Sequence, residues 1–178
     1  MLTQRQKQAI YNYQQSSNYG IIGNYLRSGG FQQGRNNKYS NLVRKINSVI
    51  NNSPRGTKNI TVYRGFPSRF IEPGRDLINR SYLSTSTNKR KAKEFGNVVV
   101  KINVPRTLKR HIMNDAREGE ILIERGTRLT NIKMIGPNSY TAKLMNNKSN
   151  IMLSPRSTLN NYKRLNLSSN NENSNFNN

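Results

Sequence analysis

The sequence has no cysteine, one histidine and only eight acidic residues in 178 positions. Without cysteine the chain has no disulfide bond, no thiolate nucleophile and no sulfur-ligated metal site, and this composition suits a reducing compartment. His111 has no cluster of ligand-type carboxylates near it in the sequence. We therefore expect no bound metal and place this histidine on the surface.

Long apolar segments are also missing. No run approaches the roughly 20 apolar residues that cross a membrane, and the N-terminus lacks the apolar core of a signal peptide. We therefore expect no membrane insertion. The protein is expected either to stay in the cytoplasm or to reach a host cell by delivery, for example in a viral particle.

Positive charge dominates what is present. Thirty Lys and Arg residues give a formal net charge of +22. Such an excess predicts attraction to nucleic acid, to an anionic membrane or to an acidic protein partner, and charge alone does not choose among them. The length favours a single domain, and we expect a monomer.

The predicted elements change character after the first third of the chain. Apolar residues at helical spacing predict helices over Leu2–Gln14, Tyr19–Arg27 and Asn41–Asn51, with Thr3 capping the first. Short β-branched and aromatic runs then predict antiparallel strands at Ile60–Arg64, Ser81–Thr85, Asn97–Val104, Glu118–Ile123, Arg128–Ile135, Ser139–Leu144 and the short run Ile151–Leu153. A further helix, Asn88–Phe95, interrupts the strands. Helices followed by strands indicate an α+β fold.

We expect one folded domain over residues 1–155 and a tail over residues 156–178. The tail is dominated by Asn and Ser and has almost no large apolar residue, so it cannot bury enough surface to order itself. The chain has no GxGxxG loop and no P-loop motif. A Rossmann or P-loop nucleotide site therefore has no support.

Half of the acidic residues lie in one ten-residue window, DAREGEILIE. They are Asp115, Glu118, Glu120 and Glu124. If the strand that contains Ile121–Ile123 already includes Glu118, its two-residue period places Glu118 and Glu120 side by side on one face. The pair is the credible acid–base site in this chain. Its alternative interpretation is a solvated strand edge whose charges prevent aggregation.

Arg64 ends a predicted strand, and Gly65 follows it. A glycine there allows a phosphate to approach the backbone, and the guanidinium can bind it with two parallel hydrogen bonds. The alternative is an ordinary exposed arginine, because the chain has many basic residues.

Ser84-Thr85-Ser86 lies where a strand changes into a helix N-terminus. On its own it is explained by capping, through Ser86 or Thr87, of the helix that follows. Phe95, at the end of that helix, is on its own a core contact.

In chain order these elements are more specific than any of them alone. Arg64, then Ser84-Thr85-Ser86, then Phe95, then Glu118-x-Glu120 resembles the arginine, Ser-Thr-Ser and Glu-x-Glu signature of mono-ADP-ribosyltransferases. The segments Asn24-Tyr25-Leu26-Arg27 and Ile102-Asn103-Val104-Pro105 are also similar to the catalytic component of iota-type binary toxins, which modify actin. The resemblance covers roughly Gln6 to Met134.

The resemblance implies a fold and a substrate. The family fold packs a small helical lobe on two roughly perpendicular antiparallel sheets, with NAD in the cleft between them. Arg64 would hold the NAD phosphates, with Gly65, Thr85 and Ser86 among the NAD-binding residues. Phe95 would pack near the nicotinamide end.

The same resemblance implies separate roles for the catalytic residues. Ser84 would position Glu120, and Glu120 would bind the ribose 2′-hydroxyl and stabilise the oxocarbenium-like species left when nicotinamide departs. Glu118 would engage an arginine acceptor on a protein, because a guanidinium is a poor nucleophile until a carboxylate orients it and takes a proton. Gly119 departs from the toxin pattern, which has an aromatic residue there.

Three functions follow as hypotheses. The first is an NAD-dependent transferase that places ADP-ribose on a protein arginine, with self-modification conceivable. The second is an NAD glycohydrolase that uses Arg64 and Glu120 but transfers to water. The third is a non-catalytic basic protein that binds nucleic acid.

Overall fold

The computed structural model describes residues 2–31, 38–54, 56–113 and 119–146. These residues belong to the first of two compact units, Met1–Asn147, and the second unit, Lys148–Asn178, lies outside them. The strand predicted at Ile151–Leu153 and the tail predicted at residues 156–178 fall in the second unit. Both therefore stay predictions.

Three helices open the chain, as predicted: α1 Gln4–Gln14, α2 Ser16–Arg27 and α3 Lys38–Asn52. Thr3 caps α1, because its side-chain oxygen accepts from the Gln6 N–H while the Gln6 amide oxygen accepts from the Thr3 N–H. This reciprocal capping box satisfies two backbone donors that the first helical turn would leave unpaired. Within the described ranges no helix is long and apolar enough to cross a membrane.

In the described residues that follow, the strands and the α-helix are β1 Ile60–Phe66, β2 Leu77–Asn79, β3 Leu83–Ser86, α4 Lys89–Lys93, β4 Val98–Val104, β5 Arg110–Ile112, β6 Glu120–Ile123, β7 Thr127–Gly136 and β8 Ser139–Asn146, with a short 3-10 helix at Ser68–Phe70. The predicted α+β class is confirmed. The sequence pattern misses β2 and β5, because each has only three residues and shows no usable alternation.

Hydrogen bonds join the eight strands into one sheet in the order β2-β7-β8-β4-β1-β3-β6-β5. The resemblance implies two antiparallel sheets, and the structure differs in two respects. β4 and β8 pair in parallel. In addition, Tyr63 on β1 pairs with Ser86 on β3 and joins the two parts of the sheet at a single residue pair. This narrow join brings β1 and β3, which carry the predicted NAD-binding residues, side by side.

Two apolar cores lie on opposite faces of β6. Ile121 and Ile123 pack in the first core with residues of β1, β4, β7 and β8. Leu122 points to the other face, where it packs with Tyr82 and the buried residues of α1, α2 and α3. Leu122 is 0% exposed, and burial of such a side chain contributes about 1.5–3 kcal/mol. Coverage on both faces explains the uninterrupted apolar run of this strand.

Candidate active site

A cleft of about 490 Å³ lies where α1, α2 and α4 meet β1, β3 and β6. Six residues predicted for the site line this cleft: Arg64, Ser84, Thr85, Ser86, Phe95 and Glu120. Gly65 is not among the lining residues, and Glu118 lies outside the described residues. The structure therefore brings together six of the eight positions that the sequence singled out.

Glu120 is held from two sides. It is the first residue of β6, and the alternation of the strand places it on the face of Leu122, toward the helices. The Ser84 hydroxyl donates to Glu120 Oε1 at 2.5 Å, and the Gln14 side-chain amide donates to Oε2 at 3.4 Å. A short hydrogen bond to a carboxylate is roughly twice as strong as one between neutral groups. Ser84 therefore fixes the carboxylate, and Gln14 adds a longer contact from α1.

Arg64 lies across the cleft floor with part of its guanidinium unpaired. Its Nη1 donates to the Ser84 carbonyl at 2.9 Å, and its Nη2 donates to the Tyr19 hydroxyl at 3.0 Å. The rings of Tyr19 and Phe95 flank the guanidinium carbon at 6.0 and 5.5 Å. Its Nε is buried and has no hydrogen-bond partner among the described residues. A buried N–H without an acceptor is costly, so this atom is suited to an anionic ligand.

Gly65 has a packing role that differs from the one inferred from the sequence. A Cβ on this residue would lie 2.1 Å from the Ala92 carbonyl oxygen and 2.8 Å from the Gly96 nitrogen. The missing side chain therefore admits the backbone of α4. Close docking of α4 places Phe95 at the cleft with 53% of its surface exposed. The reading of Phe95 as an ordinary core contact is wrong.

The three residues of Ser84-Thr85-Ser86 do different things. Ser84 faces Glu120, whereas the buried Thr85 hydroxyl donates to the Ile121 carbonyl at 2.8 Å and ties β3 to β6. The Ser86 hydroxyl accepts from the Asn88 N–H at 2.9 Å, and Asn88 itself caps α4. The expectation that Ser86 or Thr87 caps this helix is therefore corrected to Asn88, because the side chain of Asn88 accepts from the first helical turn.

Gly119 forms a turn immediately before Glu120. β6 begins at Glu120, and Gly119 has a φ of 53°, a left-handed conformation that favours glycine. Gly119 therefore lies outside β6, which corrects the predicted strand Glu118–Ile123 at this residue, and Glu118 lies outside the described residues. The Gly119 carbonyl accepts from the Thr87 N–H at 3.0 Å, and a Cβ on Gly119 would lie 2.2 Å from Thr87 Oγ1.

Tyrosines of the helical lobe were missed as site residues. Tyr13 and Tyr19 line the cleft, and their ring centroids are 5.5 Å apart. Burial raises the pKa of Tyr13 well above its ordinary value, with Tyr19, Tyr82 and Glu120 adding to the shift and Arg64 opposing it. Tyr13 therefore stays protonated at neutral pH. The density of tyrosine between residues 11 and 19 is the one signal in the sequence that could have identified these residues.

His111 is half-buried rather than on the surface, which corrects the expectation. Its Nδ1 lies 2.7 Å from the Ser53 hydroxyl oxygen, and that hydroxyl donates to the Val49 carbonyl at 2.8 Å. Burial lowers the pKa of His111. Over the described part of the chain, no cluster of three or more His, Cys, Asp or Glu residues could hold a metal.

The comparisons with known proteins identify one sequence family. The ADP-ribosyltransferase exoenzyme family model matches residues 1–160. A sequence comparison with curated proteins finds no match.

Solved structures share this fold at low sequence identity. C3larvin toxin, an ADP-ribosyltransferase from Paenibacillus larvae, has a TM-score of 0.62 at 16% identity over 81% of this chain and 88% of that chain. Vis toxin, an ADP-ribosyltransferase from Vibrio splendidus, has a TM-score of 0.62 at 19% identity over 86% of this chain and 78% of that chain. The enzymatic component C2-I of the C2 toxin from Clostridium botulinum has a TM-score of 0.65 at 16% identity, over 82% of this chain and 44% of that chain.

Proposed function

We propose a function from one premise: the chain belongs to the ADP-ribosyltransferase exoenzyme family, which uses NAD as its substrate. The proposed reaction transfers ADP-ribose from NAD to an arginine side chain of a protein and releases nicotinamide. The observation that carries this proposal is the Ser84–Glu120 pair, with its 2.5 Å hydrogen bond, in the same cleft as Arg64.

The donors and rings of the cleft suit a dinucleotide. Arg64 Nε is buried without an acceptor among the described residues, and a guanidinium is well shaped to bind phosphate oxygens. Lys91 also lines the cleft, although Glu94 partly neutralises it at 3.2 Å. The rings of Tyr19 and Phe95 flank Arg64 and offer apolar faces to a nicotinamide ring. We assign Arg64 to the phosphates and Phe95 to the nicotinamide end.

The proposed reaction uses two carboxylates, and its bonds and protons balance. The bond between the ribose carbon and the nicotinamide nitrogen breaks, a bond from that carbon to an arginine nitrogen forms, and one proton is released. Glu120, fixed by Ser84, would stabilise the positive charge that develops on the ribose. We assign Glu118 to the acceptor, where a carboxylate orients the guanidinium and takes its proton.

Labelled NAD tests this assignment directly. With the label on adenine and a mixture of proteins as acceptor, the wild-type enzyme should label protein and release nicotinamide. Glu120→Gln should lose both activities by about 10²–10³-fold, since it removes one preorganised electrostatic contact. Ser84→Ala should reduce both by about 10- to 100-fold, the value of one hydrogen bond to a charged group. Glu72→Gln, which changes an exposed carboxylate paired with Arg75, is the control and should leave both unchanged.

Glu118→Gln separates acceptor chemistry from NAD cleavage. It should abolish protein labelling but leave measurable release of nicotinamide. Full transferase activity in Glu120→Gln would contradict the assignment of that residue. Release of free ADP-ribose by the wild-type enzyme with no labelled protein would instead show an NAD glycohydrolase.

A further inference from the structure

One register row of the sheet connects the candidate catalytic residue with an exposed basic surface. Each residue of this row pairs directly with the next one on the neighbouring strand, in the order Glu120, Ser86, Tyr63, Lys101, Thr141 and Lys133. Side chains of direct partners lie on the same face of a sheet. The helices cover the β3–β6 part of this face, and Tyr63 lines the cleft. Beyond Tyr63 the row passes out of the cleft onto β4, β8 and β7.

In this outer part of the sheet one face is buried, and the other carries exposed lysines alongside the buried Val99 and Thr130. Val100, Ile102, Ala142 and Leu144 point into the first core. The residues that alternate with them on β4 and β8 include the exposed Lys101 and Lys143, and Lys133 on β7 is also exposed. We call the exposed side chains of Lys101, Lys133 and Lys143 the basic face.

The carboxylates that the structure describes do not neutralise the basic face. Glu72, Asp76 and Glu94 form ion pairs with Arg75, Arg128 and Lys91 respectively. Glu124 accepts from the Lys109 backbone N–H at 3.1 Å, and Glu120 is in the cleft. In the described part of the chain, no ion pair involves Lys101, Lys133 or Lys143. A flat surface with three unpaired cations is complementary to an anionic partner.

We propose that the basic face binds an acidic segment of the acceptor protein and so presents the acceptor arginine to the cleft that contains Glu120. This inference rests on the proposed transferase function. Single-stranded nucleic acid is the other anionic polymer to consider, but proteins that bind it on a sheet usually stack bases on several aromatic side chains. Among the described residues of the register row, the aromatic residue is Tyr63, which lies at the edge of the cleft. An acidic protein segment is the better fit.

The register sets a distance between the arginine and the acidic residues. Adjacent strands lie about 4.8 Å apart, so Lys101 and Lys133 are roughly 14 and 24 Å from Glu120 along the row. An extended segment advances about 3.3 Å per residue. Acidic residues about four and about seven positions from the acceptor arginine would therefore lie over Lys101 and Lys133.

Matched peptides test this spacing. Each peptide has one arginine and two test positions, about four and about seven residues away from it. The test positions are both Glu in the acidic peptide and both Gln in its counterpart. One pair of peptides has them on the N-terminal side of the arginine, and a second pair has them on the C-terminal side. The wild-type enzyme should show a KM about three- to tenfold lower for one acidic version than for its Gln counterpart at low ionic strength. That advantage should shrink at about 0.3 M salt, where charges are screened.

Two triple variants with the same change in net charge locate the effect. Lys101→Glu/Lys133→Glu/Lys143→Glu replaces three positive charges with three negative charges and should abolish or invert the KM ratio between the acidic and Gln peptides. Lys7→Glu/Lys45→Glu/Lys58→Glu changes three exposed lysines away from the basic face and should retain it. Because the comparison uses the ratio of two KM values, any loss of activity that is common to both peptides, such as one from weaker NAD binding, cancels.

The outcomes separate this inference from the proposed function. If no arginine peptide or protein is labelled, the transferase proposal fails. If all peptides are labelled with equal KM, or if the first triple variant keeps the ratio, the basic face does not bind the acceptor. Binding of a single-stranded oligonucleotide, detected by fluorescence, tests the alternative. If the peptides have equal KM values and only the first triple variant loses oligonucleotide binding, the face is assigned to nucleic acid and the inference is overturned.

Discussion

Gly119 is the position where one added methyl group should disturb both the fold and the chemistry. Its φ is 53°, and its carbonyl accepts from the Thr87 N–H at 3.0 Å. The residue that follows is Glu120. We predict that Gly119→Ala destabilises the protein and slows NAD cleavage, because any movement of Gly119 is passed to the start of β6.

The expected magnitude has two parts. An L-residue in the left-handed region costs about 1–2 kcal/mol relative to glycine. The new Cβ would lie 2.2 Å from Thr87 Oγ1, and relief of such an overlap typically costs about 1–3 kcal/mol. Together the substitution should lower the free energy of unfolding by about 2–5 kcal/mol.

A double-mutant cycle separates the two parts. In the Thr87→Ala background the nearest side-chain atom would be a Cβ at 3.5 Å, an ordinary contact, so Gly119→Ala should cost only the backbone term of about 1–2 kcal/mol. Thr87→Val keeps the branched side chain and should keep the full cost. Urea unfolding gives the free energies, and kcat for nicotinamide release reports the position of Glu120. Equal costs of Gly119→Ala in all three backgrounds would refute the overlap with Thr87.

Three further substitutions test other parts of the structure. Gly65→Ala should cost at least about 2–3 kcal/mol, because its Cβ would meet the Ala92 backbone oxygen at 2.1 Å; a smaller loss in urea unfolding would show that α4 is not docked as described. Gly20→Ala, on α2 with nothing within 4 Å of the new Cβ, should instead stabilise by about 0.5–1 kcal/mol, and a loss would contradict its open position. Since burial lowers the pKa of His111, the folded state binds fewer protons than the unfolded state, so stability should fall as pH drops below about 6.5. His111→Asn should weaken that fall between about pH 7.5 and about pH 5.5, and an unchanged pH dependence would exclude His111 as its source.

The long elements of the fold were predictable because their signals are local. α3 and β4 show apolar periodicity over 15 and 7 residues, and Thr3 is read as a cap from its position alone. β2 and β5 each have three residues and exist because neighbouring strands pair with them. The parallel pairing of β4 with β8 depends on the path of the whole chain, so no short window of sequence reveals it.

Site residues could be predicted where the chemistry of the side chain indicates a role. A glutamate beside an apolar strand, an arginine at a strand end and a serine in a strand each indicate a role, and the structure places all three in one cleft. Tyr19 and Gln14 were not predictable in this way. They reach Arg64 and Glu120 only because the helices pack on the face of β6 that carries Leu122.

The packing of Gly65 shows why a local interpretation of a glycine has to be compared with the surrounding backbone. The sequence alone presents a glycine beside an arginine as space for a phosphate. In the structure that space holds the backbone of α4, and the tight contact places Phe95 where its ring lies 5.5 Å from the Arg64 guanidinium carbon. Gly65 therefore acts on the cleft through Phe95. A glycine in a signature motif should be assigned to ligand approach only after the position of its absent Cβ has been checked against the surrounding backbone.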